Sequence, residues 1–405
     1  MKLKELENKK IVILGFGREG RDTLSFLKKH VSSKEIRIVD PNKEKNYAKE
    51  LDDCDLIIKS PGIPFKILPQ RILKKVTTQT EIFLQNCPSA VVGVTGTKGK
   101  STTASLIYAV LKKGGIKAYL VGNIGKPALS LLPNLKSDSV VVYEMSSFQL
   151  TNLKISPKIA VLLNIYKEHL DYHRSFSEYV AAKSNIAKHQ KPSDYLIYNS
   201  KDSRLKNIAQ KSKAKKIPIE GKYYQLDTEA ARRVGEIFGI SSQKIEAAVK
   251  SFKPLPHRLE YVGKFKGIEF YNDSLSTIPE TAIEALDCLG DKVQTLIAGG
   301  HDRGLDFEKL AKRISRSKVE TLILFPKTGK RIWESLKDKK SNIVRHFFTS
   351  SMEEAVRLGY KHTKPGKTCL LSPSSPSFGI FKDYAERGEA FKKFVKKFKN
   401  AKIEA

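Results

Sequence analysis

Val91-Val92-Gly93-Val94-Thr95-Gly96-Thr97-Lys98-Gly99-Lys100-Ser101-Thr102-Thr103 joins an apolar run to a glycine-rich turn, and a helical pattern follows in Ala104, Leu106, Ile107, Val110 and Leu111. Strand, loop and helix in that order are the setting a phosphate-binding loop requires. Glycine lets backbone N–H groups curl around an anion with no Cβ in the way. The helix N-terminus adds partial positive charge. Lys100 then suits the terminal phosphates of a nucleotide, and the Ser101 hydroxyl suits Mg²⁺. The usual spacing wants glycine where this chain has Val94, so the loop reads Gly96-Thr97-Lys98-Gly99-Lys100-Ser101-Thr102. A glycine turn ahead of an ordinary helix is the plainer alternative. The agreement of strand, turn, lysine, hydroxyl and helix favours the phosphate loop.

Upstream, Ile11-Val12-Ile13-Leu14 has the pattern of a short buried strand. It runs into Gly15-Phe16-Gly17-Arg18-Glu19-Gly20 and a helical stretch with Leu24, Phe26 and Leu27. A second strand, Ile36 to Val39, ends at Asp40, about twenty positions after the last glycine, as in a dinucleotide-binding βαβ unit. This predicts a diphosphate on the first helix and a ribose or sugar hydroxyl near Asp40. The third strand, Leu56 to Ile58, leads to Ser60-Pro61-Gly62-Ile63-Pro64, a loop at a carboxyl end, where open α/β sheets bind ligands. The glycine pattern does not separate a nicotinamide dinucleotide from another diphosphate such as a UDP-sugar.

Downstream, Ala118 to Val121 reads as a strand followed by the tight turn Gly122-Asn123-Ile124-Gly125. Ser139 to Tyr143 is a buried strand ending in Glu144, where a carboxylate beside a phosphate loop suits a second Mg²⁺ contact. Ile159 to Asn164 is another, delivering Ile165-Tyr166-Lys167-Glu168-His169-Leu170-Asp171 to the same edge. His169 is a candidate metal ligand, although a lone histidine is more often a packing residue. Phe176 to His189 reads as a helix capped by Ser175 with Glu178 three residues on, and Lys183 lies on it between small residues.

Pro254-Leu255-Pro256 marks a boundary. Strands at 268–271, 295–298, 321–325 and 368–371 then alternate with helices. They end in Asn272-Asp273-Ser274, in Gly299-Gly300-His301-Asp302-Arg303-Gly304 and in Ser372 to Phe378, which predicts a third parallel sheet with a loaded edge. The last helix carries Phe391, Phe394, Val395 and Phe398 on one face, which fits packing on its own sheet better than lying on a membrane. The fold expected is α/β in three domains: a Rossmann-like domain over 1–88, a P-loop-type ATPase domain over 89–252 and a Rossmann-like domain over 253–405.

A chain of 405 residues suggests about two to four domains. No apolar run approaches the ~20 residues of a membrane span, and Met1-Lys2-Leu3-Lys4-Glu5 lacks the apolar core of a signal peptide. Cys54, Cys87, Cys288 and Cys369 have no metal or redox spacing. A cytoplasmic protein with reduced thiols is expected. The formal charge of +31 raises nucleic-acid binding, but the lysines are spread along the chain with few aromatics among them. A lysine-rich surface that draws in anionic small molecules is the preferred reading, with no nucleic-acid partner.

Taken together, these stretches resemble the Mur ligase family, the ATP-dependent amino-acid ligases of peptidoglycan synthesis, over essentially the whole chain. The Gly-Thr-Lys-Gly-Lys-Ser-Thr loop is similar to the family's phosphate loop. Glu144-Met145-Ser146-Ser147-Phe148-Gln149-Leu150 resembles the signature of the branch that adds D-glutamate. Asn164 through Asp171, the Ala181-Ala182-Lys183 helix, His257-Arg258, Asn272-Asp273-Ser274 and Leu371-Ser372-Pro373 with Phe378 also fit.

The resemblance implies an acyl-phosphate ligase taking UDP-N-acetylmuramoyl-L-alanine, D-glutamate and ATP with Mg²⁺, and a monomer is expected. Gly96, Thr97, Lys98, Gly99, Lys100, Ser101 and Thr102 would hold the ATP phosphates, with Arg258, Asn272 and Asp273 also at the nucleotide. Ser101, Glu144, His169 and Lys183, the last as a carbamate, would serve the metal. Gly17, Arg18, Glu19, Asp40, Gly62, Asn123 and His169 would meet the UDP-sugar. Thr277, Arg303, Ser377, Phe378 and Tyr384 lie where the family grips D-glutamate. Leu275 and Arg303 stand where a common form of the branch has lysines, and Arg303 can supply the cation a side-chain carboxylate needs.

Other readings are a sister ligase adding a different amino acid or extending folate, a nucleic-acid-stimulated ATPase, and a nicotinamide-dependent enzyme using the first segment.

Overall fold

Short Val/Ile/Leu runs are buried on both faces when strands lie parallel with helices on either side. The computed structural model describes residues 1–41, 47–170, 172–221, 224–253, 255–339 and 342–401, so Asp171 and Pro254, both quoted above, lie outside the described residues. β1 (Lys10–Leu14), β2 (Glu35–Val39), β3 (Leu56–Lys59) and β4 (Val76–Thr78) form a parallel sheet in the order β2-β1-β3-β4. The chain turns from one side of β1 to the other between β2 and β3. The carboxyl ends of β1 and β3 therefore flank a switch-point crevice.

β5 (Ala90–Thr95), β6 (Ala118–Gly122), β7 (Val140–Glu144), β8 (Ile159–Leu162), β9 (Tyr195–Asn199) and β10 (Lys215–Ile219) form a second parallel sheet, ordered β10-β9-β8-β5-β7-β6. Its switch point lies between β5 and β8, so the loop after Thr95 faces the loop after Leu162. One hydrophobic cluster runs from Ile11 and Ile13 of β1 to Val141 and Tyr143 of β7. Residues 1–252 accordingly form one compact unit carrying both sheets, and residues 253–405 form another.

In the second unit, β11 (Glu260–Phe265), β12 (Ile268–Asn272), β13 (Val293–Gly299), β14 (Thr321–Phe325), β15 (Arg345–Phe348) and β16 (Thr368–Leu371) are ordered β11-β12-β16-β13-β14-β15. The sheet is not wholly parallel: β11 pairs antiparallel with β12. Lys266 (φ 50°) and Gly267 (φ 78°) make the two-residue turn, and two left-handed residues match the twist of a hairpin. The terminal helix, Tyr384–Phe398, buries Phe391, Val395 and Phe398 in a cluster with Phe270 of the same unit, as its apolar face predicted. Among the described residues no helix is long and apolar enough to cross a membrane.

Candidate active site

The strand β5 is stopped by Gly96, whose missing side chain is needed: a Cβ there would stand 3.0 Å from the carbonyl of Lys98 and 3.1 Å from Cβ of Leu163. Gly99 caps the helix Lys100–Lys113 at φ 92°, a conformation that costs other residues energy. The turn between them is held from β8. Asn164 Oδ1 accepts from the Lys98 N–H at 2.8 Å, and the Asn164 carbonyl accepts from the Thr97 N–H at 2.8 Å. Thr97 Oγ1 accepts from the Tyr166 N–H at 2.9 Å and lies 2.9 Å from the Tyr179 hydroxyl. The loop is thus held in shape by the protein's own hydrogen bonds. Lys100 Nζ rests on the Thr97 carbonyl at 2.8 Å. Lys98 Nζ pairs with Glu168 at 3.0 Å. Burial alone would raise the Glu168 carboxyl, but Lys98, His169 and Lys100 hold it down at about 2.

Lys183, on the helix Phe176–Lys188, is 1% exposed. Its Nζ donates to the Gly96 carbonyl at 2.7 Å and to Thr95 Oγ1 at 3.3 Å, and lies 4.9 Å from the centre of the Tyr179 ring. Burial, then the neighbouring Lys100 charge, pushes its ammonium well below the usual lysine range. A neutral amine is the form able to take up CO₂. His169 sits at φ 58° with its ring edge on Phe148, centroids 5.0 Å apart. Burial lowers its pKa, which favours the neutral ring able to bind a metal, with Glu168 acting the other way.

A cleft of about 650 Å³ joins these groups to the first sheet. Gly17, Arg18, Glu19, Asp40 and Gly62 line it together with Lys100, Asn123, His169 and Lys183. Two switch points of one unit therefore open into one space. Gly15 (φ 88°) and Gly20 make the glycine turn possible, because a Cβ on Gly20 would lie 2.2 Å from the Gly15 carbonyl. Arg18 reaches the Gly125 carbonyl across the cleft. Glu19 accepts from Gln149 Nε2 at 2.6 Å, and burial raises its carboxyl to about 7 against that hydrogen bond. Glu144 is not in the lining. It lies 1% exposed behind Asn123, whose Nδ2 donates to its Oε1 at 3.3 Å.

The donor set fits Mg²⁺. Among the described residues no three His, Cys, Asp or Glu side chains gather as a metal cage. Mg²⁺ typically takes one or two protein carboxylates and leaves its other positions to water and phosphate. Glu144 Oε2 and Thr102 Oγ1 are both buried with no hydrogen-bond partner. A buried carboxylate oxygen in that state is costly unless a cation or donor meets it.

In the second unit, the loops after β12, β13 and β16 gather at one sheet edge. Asn272 and Asp273 are 0% and 2% exposed and fasten that edge. Asn272 donates to Glu260 Oε2 at 3.1 Å, while Asp273 accepts from the Leu259 N–H at 3.1 Å and the Ser372 hydroxyl at 2.8 Å. Arg303 lies over the exposed Phe378 ring, 5.4 Å from its centre. Ser377 is buried, Tyr384 is exposed, and Arg258 and Thr277 are half-buried at loop positions of the same unit.

Arg387, which the sequence reading missed, is the largest fully buried side chain among the described residues. It donates to the carbonyls of Ser274 and Ser375 at 2.8 and 3.0 Å and to Ser274 Oγ at 3.0 Å, tying two of those loops together. Burial lowers it to about 9, with Asp273 acting the other way. Arg387→Met should cost about 2 kcal/mol or more by orphaning two buried carbonyls, read as a lower unfolding midpoint in urea. No shift in midpoint would contradict that role. Lys59, Glu168 and Tyr172 were also missed. Nothing in a lone lysine at a strand end or a tyrosine in a loop marks it in advance.

A family model described as the Mur ligase middle domain matches residues 94–266, and one described as the Mur ligase, glutamate ligase domain matches residues 257–375. Curated relatives named UDP-N-acetylmuramoylalanine--D-glutamate ligase include one from Acetivibrio thermocellus, 32% identical with 97% of each chain covered. Another, from Oenococcus oeni, is 32% identical with 96% of this chain and 97% of the relative covered. A solved MurF ligase from Thermotoga maritima in complex with ADP matches with a TM-score of 0.60 at 18% identity, covering 98% of this chain and 97% of that one. MurF from Acinetobacter baumannii matches with a TM-score of 0.64 at 13% identity, covering 97% and 92%. At such identities the solved structures speak for the α/β fold alone.

Proposed function

The chain belongs to the Mur ligase family of ATP-dependent, amide-bond-forming ligases, and on that footing we propose that it joins D-glutamate to UDP-N-acetylmuramoyl-L-alanine in the cytoplasm. The observation that carries this reading is the single cleft lined by Gly17, Arg18, Asp40, Asn123, Lys100, His169 and Lys183. A diphosphate-binding turn and a triphosphate-binding loop open into it together. The Ser146-Ser147-Phe148-Gln149 stretch, at the start of the short helix Ser147–Leu150, lines the same cleft.

In the proposed reaction a carboxylate oxygen of the terminal L-alanine attacks the γ-phosphorus of ATP, and the bond to ADP breaks. The D-glutamate amine then attacks the carbonyl carbon of the acyl phosphate. Phosphate leaves with the original carboxylate oxygen, and the amine gives up a proton. The obstacle is charge, since a carboxylate must approach a triphosphate. Lys100 and the amides at the start of its helix neutralise the phosphates without reorganising. Ser101, Glu144 and His169, with Lys183 as its carbamate, would hold Mg²⁺, which supplies further neutralisation at the phosphate oxygens. The carbamate would form when the neutral Lys183 amine adds to CO₂ and loses a proton. Arg18 and Asp40 serve the diphosphate and sugar of the UDP-muramoyl substrate, and Asn123 orients its peptide end. Within 253–405, Arg258 with Asn272 and Asp273 serves the nucleotide. Thr277, Ser377, Phe378 and Tyr384 shape the amino-acid site, where Arg303 supplies the cation for the side-chain carboxylate.

Phosphate release with UDP-N-acetylmuramoyl-L-alanine, ATP, Mg²⁺ and a panel of D- and L-amino acids tests this. Release that requires D-glutamate is expected. Release with another amino acid in its place would make the chain a sister ligase.

A further inference from the structure

Two side chains with no role so far converge on one carbonyl in the wall of the cleft. Lys59, the last residue of β3, is 1% exposed. Its Nζ donates to the carbonyls of Ser60 at 2.9 Å and Ile63 at 2.8 Å. The Tyr172 hydroxyl, from the loop after β8, donates to the carbonyl of Pro61 at 2.8 Å and lies 3.2 Å from that of Ile63. All four residues of the 60–63 loop line the cleft. Ser60 Oγ donates to the Gly15 carbonyl at 2.7 Å, which presses the loop onto the glycine turn. Gly62 remains at the open face, with no atom within 4 Å of where its Cβ would stand.

The loop is therefore anchored on both sheets of the first unit. Tyr172 stacks on Phe148 with ring centroids 4.0 Å apart, and Phe148 meets the His169 ring. A lysine is a costly way to fill this space. Burial pulls Lys59 down to about 7, and the Glu19 carboxylate in the same cleft pulls the other way. An apolar side chain of similar length would avoid that cost but would leave the Ser60 and Ile63 carbonyls without their donor, so the lysine is accounted for by the loop it holds rather than by packing.

We propose that Lys59 is a positioning residue for the UDP-sugar substrate, holding the 60–63 loop, with Tyr172, in the shape that receives it. This rests on the proposed function above and adds a residue that acts through the loop rather than by touching the substrate.

Lys59→Met removes the donor but keeps the length and apolar stem, and Tyr172→Phe removes only a hydroxyl. Both are compared with the wild-type full chain by calorimetric titration of UDP-N-acetylmuramoyl-L-alanine, by steady-state kinetics and by thermal unfolding. For Lys59→Met the Kd and KM for that substrate should rise about tenfold, with kcat and the KM for ATP within about twofold of wild type. Tyr172→Phe should move the same KM in the same direction by a smaller factor. If Lys59→Met does not fold, the Tyr172→Phe shift decides. Unchanged UDP-substrate affinity in a folded variant overturns the proposal alone, as does a fall confined to kcat. A wild-type chain that does not bind the UDP substrate overturns the proposed function and this inference with it.

Discussion

Lys100→Ala should cut ligation by about 10²–10³-fold while the protein keeps its melting temperature within a few degrees. The side chain is half-buried, and its Nζ rests on the Thr97 carbonyl at the mouth of the helix Lys100–Lys113. That contact is replaceable by water. No group in the loop replaces its charge beside a triphosphate, because Lys98 is already paired with Glu168 at 3.0 Å. Removing one preorganised electrostatic stabiliser typically costs on the order of 10²–10³ in rate. Phosphate release at saturating ATP and UDP substrate reads the loss. Near-normal turnover in the folded variant would reject Lys100 as the phosphate-neutralising residue.

Lys183→Ala should be nearly as damaging, and it should be partly rescued by small carboxylates such as acetate. Its ammonium is disfavoured by burial and by Lys100, and it lies against Gly96 at the base of the phosphate loop. The alanine variant leaves a void where the carbamate would sit, which a small anion can enter. A loss of about 10²-fold is expected. A carbamate carbon resonance, visible in the wild type with ¹³C-bicarbonate and missing in the variant, separates this role from packing. Full activity in Lys183→Ala would make it an ordinary core lysine.

The parts legible in the sequence were those with strong local grammar. β1, β5, β7 and β14 are largely apolar runs expected within a residue or so of where they lie, and β8 was expected to run on to Asn164, two residues past its end at Leu162. The helix Phe176–Lys188 was announced by Ser175, whose side chain accepts from the Glu178 N–H. The strands that escaped are mostly of another kind, β9 being the exception, an apolar Tyr195-Leu196-Ile197-Tyr198 run that was passed over. β10 and β15 are edge strands with mostly exposed residues, so no apolar run marks them. β4 is three residues long, and β11 depends on a Lys-Gly turn that carries no strong hairpin signal.

For the site, the glycine spacings and Lys100 stood out locally at strand ends, His169 gained weight only from its neighbours, and Lys183 came from the family resemblance, since a lone helix lysine is usually solvated. Glu144 was expected at the metal, and it stands behind Asn123 with one buried carboxylate oxygen lacking a hydrogen-bond partner. Arg387 and Lys59 were invisible, since their role comes from carbonyls that only folding brings to them.

The account stands or falls on a triphosphate and a UDP-linked peptide carboxylate reacting in the cleft between the two glycine loops. The direct measurement is isotope transfer: UDP-N-acetylmuramoyl-L-alanine labelled with ¹⁸O in its terminal carboxylate, turned over with ATP, Mg²⁺ and D-glutamate, and the released phosphate weighed by mass spectrometry. One ¹⁸O per phosphate is expected, because the carboxylate oxygen leaves with the phosphoryl group. Phosphate carrying no label, released at the same rate with or without D-glutamate, would contradict it.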